Sequence, residues 1–171
     1  DRALVNYARL AQRYNNWLTL RTSAGTLFDT DLQLRPSGSS GLLVSSIATF
    51  AEYQEHSAWS WEHQALTRAR YCAGDGNVGD AFERIRKKIL ERERAPAVLA
   101  REVLAMRDKL HAAHPNKSGL FDLKHDRGGM IDIEFMVQFL VLAHAHRYEE
   151  LTRNLGNIAL LKMCADLGLI D

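Results

Sequence analysis

Asp29 and Asp31 alternate with apolar residues in the stretch F-D-T-D-L-Q-L-R-P-S-G-S-S-G, which runs from Phe28 to Gly41. Phe28, Thr30, Leu32 and Leu34 share one face and leave Asp29, Asp31 and Gln33 on the other, the period-2 pattern of a half-buried strand. Arg35 joins that strand to a turn of Pro, Ser and Gly. Carboxylates on a strand beside such a turn are one way to hold Mg²⁺ against a phosphate chain. Arg35 and the Ser37–Gly41 turn, Gly38 included, could present a guanidinium and backbone N–H groups to phosphate oxygens. The plainer reading of the same residues is a solvated strand face followed by a structural turn.

Two further segments carry polar groups among apolar ones. Trp59 to Arg70 reads W-S-W-E-H-Q-A-L-T-R-A-R, and Phe121 to Phe135 reads F-D-L-K-H-D-R-G-G-M-I-D-I-E-F. In the first, Trp61, Ala65 and Arg68 fall on one helical stripe, the tryptophans reading as core. Arg68 is expected to make an internal ion pair, with Glu62 or Glu134. In the second, Gly128–Gly129 permits close backbone approach or unusual dihedrals. Lys124 and Arg127 could reach a phosphate near the helix start that follows. Asp132 more simply complements that helix's dipole. Glu134 and Gln138, four residues apart, are a polar pair on an otherwise apolar helix. A carboxylate there needs a partner, either a buried salt bridge or a role at a site. The seven histidines show no metal-ligand spacing.

The elements that must position these groups are mostly helical. Leu4, Tyr7, Ala8, Ala11, Tyr14, Trp17 and Leu18 predict a first helix ending before Gly25. Leu42 to Val44 could pair with the strand around Asp31 as a hairpin. Ser45 or Ser46 caps a helix carrying Phe50 and Tyr53, and Ser57 or Ser60 caps the next, through Trp61, Ala65, Arg68 and Cys72. Val78 to Ile89, Val98 to Ala113, Ile131 to Ala145 and Asn157 to Leu167 complete the set. The basic clusters Arg84–Lys88 and Arg92–Arg94 read as solvated helix faces.

A chain of 171 residues, with 22 Lys and Arg against 21 Asp and Glu, suits one domain or one domain and part of another. Near-zero net charge gives no basic field for nucleic acid. No stretch approaches a membrane span, and no apolar signal core opens the chain. Cys72 and Cys164 stand far apart and read as reduced thiols, so a cytoplasmic protein is expected. The opening at Asp1, helical and without Met, is what a fragment of a longer protein would show.

Taken together and in order, the three segments resemble the adenylyltransferase half of bacterial glutamine synthetase adenylyltransferase. That family has D-x-R-L-R-P-S-G-x-x-G, then W-x-W-E-H-Q-A-L-x-R-A-R, then F-D-x-K-x-x-x-G-G-x-x-D-I-E-F. The first arginine of the first motif is Gln33 here. The resemblance implies a mainly α (α+β) fold, a helical bundle attached to part of a nucleotidyltransferase, polymerase β-like, sheet, divided at 1–56 and 57–171. It implies transfer of AMP from ATP to a tyrosine of glutamine synthetase, with Mg²⁺ ions held by three carboxylates. Asp31 matches the third acidic position, as catalytic and metal-binding residue. The other two belong to a G-S-D-x-D element that this chain does not contain. Arg35, Ser37, Gly38, Lys124 and Arg127 are the expected nucleotide contacts. Control by the PII signalling protein and glutamine is implied for the whole enzyme. Competing readings are the deadenylylating half, against which Ser37 and His63-Gln64 speak, and a helical interaction module without chemistry.

Overall fold

The computed structural model describes residues 2–171, the side chain of Ser39 apart. The chain divides into two compact units, Asp1–Ala58 and Trp59–Asp171.

In the first unit, α1 (Arg2–Thr19) is strongly amphipathic. Leu4, Ala8, Ala11, Asn15 and Leu18 form its half-buried stripe, and Tyr7, Tyr14 and Trp17, expected on that stripe, are exposed. An antiparallel ribbon follows, β1 (Arg21–Thr22) and β2 (Gly25–Thr26), with Arg21 opposite Thr26 and Thr22 opposite Gly25. The Thr22 hydroxyl donates to the Gly25 carbonyl at 2.9 Å, locking the turn. Helix α2 (Ile47–His56) is capped by Ser46, whose hydroxyl oxygen accepts the Thr49 N–H at 3.1 Å.

The strand expected over 28–34 does not form, nor does its pairing with 42–44; the described sheet is the 21–26 ribbon. Alternation alone does not make a strand. A strand needs a neighbour for its N–H and C=O groups and a surface for its apolar face. Here Phe28 instead donates its N–H to the Leu18 carbonyl of α1 at 3.1 Å, and Thr30 donates its hydroxyl to the Asn15 side chain. Phe28, Leu32 and Leu34 stay exposed.

The second unit is built from five helices among the described residues: α3 (Ser60–Leu66), α4 (Gly76–Leu90), α5 (Pro96–Ala113), α6 (Met130–His144) and α7 (Asn157–Asp166). Asp75 caps α4 by accepting from the Asn77 and Val78 N–H groups, and Pro96 opens α5 where its missing N–H does no harm. Helix α6 is apolar almost all round; it buries Ile131, Val137, Leu140, Val141, Leu142 and Ala143, while Ile133 and Met136 stay exposed. It packs against α3, α5 and α7. Val137, Leu140, Val141, Leu151, Leu160 and Cys164 form the centre of the core. Each buried Leu or Val there contributes about 1.5–3 kcal/mol.

Helix α3 ends at Leu66 rather than continuing to Cys72. Its termination is tied to a buried cation. Arg86, on α4, donates to the Leu66 and Thr152 carbonyls at 2.8 Å each, filling acceptors left over at two helix ends. Arg94 does the same for α4, donating to the Ile89 carbonyl at 2.7 Å and also towards Leu142. Burial, with Arg92 adding like-charge repulsion, lowers the Arg94 guanidinium to about 10. The basic clusters are therefore not simply solvated faces: each turns one arginine inward to collect carbonyls.

Candidate functional site

The loop after Leu34 is a tight knot. Gly38 donates its N–H to the Arg35 carbonyl at 2.8 Å, and Gly41 donates to Gly38 at 3.1 Å. Ser37 and Gly38 are both left-handed, with φ of 62° and 54°. A side chain at Gly41 would place its Cβ 1.9 Å from the Pro36 carbonyl oxygen, so the turn requires glycine there. Arg35 is folded back onto this loop, donating to the Leu32 carbonyl and, from Nε, to the Gly41 carbonyl at 3.3 Å. The guanidinium thus braces the turn. Asp31 is exposed, and its Oδ1 accepts the Gln33 N–H at 2.8 Å.

No group of three or more His, Cys, Asp or Glu side chains suited to a metal ion exists among the described residues. Asp31 offers one carboxylate, which does not by itself make a Mg²⁺ site. The residues present do not fit a complete two-ion centre.

The loop from Phe121 to Gly129 is held by its own acids. Asp122 accepts from the Lys124 and His125 N–H groups and from His125 Nδ1, at 2.8, 3.1 and 3.0 Å. The His125 side chain, then those two N–H groups, hold the Asp122 carboxyl below the usual range. Asp126 Oδ2 accepts from the Asp122 N–H and the Asn116 side chain. A Cβ at Gly129 would lie 2.6 Å from the Leu123 carbonyl oxygen, and Gly128 has a φ of 85°, so the pair shows both the close backbone approach and the unusual dihedral expected as alternatives. The first N–H groups of α6 are already engaged, Met130 with the Leu123 carbonyl at 2.8 Å and Ile131 with that of Lys124 at 3.3 Å. These two N–H groups are therefore spent on the loop itself. Lys124 is exposed, and Arg127 pairs with Asp108 at 3.0 Å on the surface.

Asp132 does more than face the dipole. Its carboxylate accepts from the Gly128 N–H and from Arg107 Nε, and these contacts, the N–H first, lower its pKa. Arg107 is 6% exposed and also donates to the His125 carbonyl at 2.8 Å. Sequence reasoning missed it. On α5 it follows Leu99 and Val103 at intervals of four, and all three are buried. A cation continuing an apolar stripe beyond its last valine was the signal.

The second and third motif segments meet residue by residue. Gln64 on α3 donates to Gln138 on α6 at 2.8 Å. One turn further along, Arg68 Nε stands 3.7 Å from Glu134 and Arg68 Nη1 donates to the Leu155 carbonyl at 2.8 Å. Arg68 is thus the partner of Glu134, as one of the two alternatives held. The pair is not buried, its side chains being 38% and 40% exposed, and this corrects the expectation of a buried bridge. Glu62, the other alternative, accepts the Trp59 N–H at 2.9 Å and caps α3. Trp59 itself is 70% exposed rather than core.

The family model described as glutamate-ammonia ligase adenylyltransferase matches residues 2–85. A bifunctional glutamine synthetase adenylyltransferase/adenylyl-removing enzyme of Aromatoleum aromaticum is 62% identical over 98% of the chain, which spans 18% of that relative. Proteins of the same description from Nitrosomonas eutropha and Burkholderia pseudomallei are 59% and 55% identical over 98% and 100% of the chain, which spans 18% and 19% of their lengths. The chain belongs to the glutamate-ammonia ligase adenylyltransferase family.

Proposed function

We propose that this chain is part of the half of such an enzyme that transfers AMP from ATP to a tyrosine of glutamine synthetase. The observation that supports an enzyme of this kind is the high identity, over essentially the whole chain, to relatives described as bifunctional glutamine synthetase adenylyltransferase/adenylyl-removing enzymes. Ser37 and His63-Gln64 favour the transferase half over the adenylyl-removing half. In this reading Asp31 is the carboxylate that the chain contributes to a polymerase β-like nucleotidyltransferase sheet and its Mg²⁺, the remaining acids coming from outside it. Arg35, Ser37, Gly38, Lys124 and Arg127 are its nucleotide contacts. The Glu134–Arg68 and Gln138–Gln64 pairs tie α6 to the segment from Trp59 to Arg70. The setting is cytoplasmic, with PII as a regulatory partner of the longer enzyme. No described helix is long and apolar enough to cross a membrane.

A second reading, that the isolated chain does no chemistry and serves as a helical module, is favoured by the G-S-D-x-D element that its sequence does not contain. One experiment addresses both. The longer polypeptide bearing this chain, given α-labelled ATP and glutamine synthetase, is expected to label glutamine synthetase, and the purified 171-residue chain to give none. Failure of the longer protein would overturn the first reading. Transfer by the chain alone would overturn the second.

A further inference from the structure

Between α5 and α6 lies a groove of about 370 Å³, walled by Val103, Leu104, Phe135, Met136 and Phe139, with Arg107 among its lining residues. Leu104 and Met136, on opposite walls, are 63% and 53% exposed. Helix α6 therefore presents apolar side chains outward as well as inward, an arrangement that water disfavours. Arg107 adds a second, independent observation. Its Nε is held by Asp132 and its Nη2 by the His125 carbonyl, but its Nη1 is buried with no partner among the described residues. A buried donor of this kind calls for an acceptor.

The kind of acceptor is indicated by the unit itself. Arg86 and Arg94, its other inward arginines, are satisfied by backbone carbonyls at helix ends. The charges lining the groove are also paired, Arg107 with Asp132 and Arg127 with Asp108, so the groove carries no net charge. An apolar stretch of polypeptide fits both facts better than a charged ligand. Since the chain spans only 18% of the Aromatoleum relative, most of such a polypeptide lies outside it and is available to cover the groove.

We propose that the α5–α6 groove seats an apolar segment of the longer polypeptide, with one backbone carbonyl of that segment accepting from Arg107 Nη1. The inference rests on the family assignment and not on which reaction this half performs.

Thiol labelling tests it. Met136→Cys is introduced into the longer polypeptide and into the 171-residue chain, each with Cys72→Ser to remove the exposed native thiol. Maleimide labelling is followed peptide by peptide, and AMP transfer is assayed on the same longer protein, so that failure of the groove and failure of the functional reading are told apart. Labelling at position 136 is expected to be about tenfold or more slower in the longer polypeptide. Adding Arg107→Lys, which keeps the charge but not Nη1, should bring that rate back towards the rate of the short chain. Equal rates in the two proteins would overturn the proposal. So would protection that appears only as concentration rises, which means a second copy, or only when glutamine synthetase is added, which means a separate partner. If M136C does not fold, L104C on the opposite wall carries the same comparison.

Discussion

Replacing Asp132 by Ala removes the carboxylate that meets Arg107 Nε and, with it, the acceptor for the Gly128 N–H. Arg107 cannot move into water to compensate, because Leu99 and Val103 below it are buried and its Nη2 is fixed to the 121–129 loop. Breaking a buried pair from one side costs about 3–5 kcal/mol. The Asp132 side chain is 29% exposed, so the low end of that range, about 3 kcal/mol, is expected. For a cooperative unit of this size the melting temperature should fall by roughly 10 °C. Thermal unfolding followed by circular dichroism at 222 nm is the assay. The pH dependence supplies a sign. The folded protein holds the Asp132 carboxyl below its ordinary value, so its contribution is fully present above the unfolded value, about 3.9, and is lost as pH falls through the lower folded value. Wild type and Asp132→Ala should differ most near neutral pH and converge in acid. Asp108→Ala, which breaks the exposed pair with Arg127, is the control and should cost no more than about 1 kcal/mol. A variant at position 132 that melts within 2 °C or so of wild type at pH 7 would refute the reasoning, since 1 kcal/mol already moves the midpoint by more.

The Glu134–Arg68 pair is about two-fifths exposed, so Glu134→Ala should cost only about 0.2–1 kcal/mol, measured by urea unfolding. Gln138→Ala removes the acceptor of a part-buried 2.8 Å bond and should cost about 1 kcal/mol in the same titration. Under native conditions a maleimide should modify the exposed Cys72 and leave Cys164 untouched, because Cys164 is 1% exposed and burial raises its thiol pKa. Rapid labelling of both by mass spectrometry would contradict the core described for α6 and α7.

The helices were legible because their signals are local. Ser46 before Phe50, the apolar stripe of α4 and the all-round apolar run of α6 each specify a helix without reference to the rest of the chain. Arg68 facing Glu134 was within reach for the same reason, since both stand at helical spacing from a second matched pair, Gln64 and Gln138. The 28–34 strand was not legible, because strand formation depends on a neighbour that the local pattern cannot supply. The inward arginines were hidden by charge: Arg86 and Arg94 sit in basic clusters that composition assigns to solvent, and only the positions of distant carbonyls turn them inward. Arg107 was missed for a related reason, because its partners lie about 18 to 25 residues away in sequence. Asp31 was singled out through family resemblance, and local geometry adds only its exposure and its contact with Gln33.

If this chain serves the AMP-transferring half through Asp31, as proposed, the bifunctional description of its relatives makes a two-sided assay possible. Asp31→Asn in the longer polypeptide should leave the circular dichroism spectrum unchanged. Loss of one metal-binding charge should lower transfer of labelled AMP to glutamine synthetase by about 100-fold or more. Removal of AMP from pre-labelled glutamine synthetase, measured on the same sample, should be retained. Retained transfer with lost removal would place the chain in the other half and contradict the account.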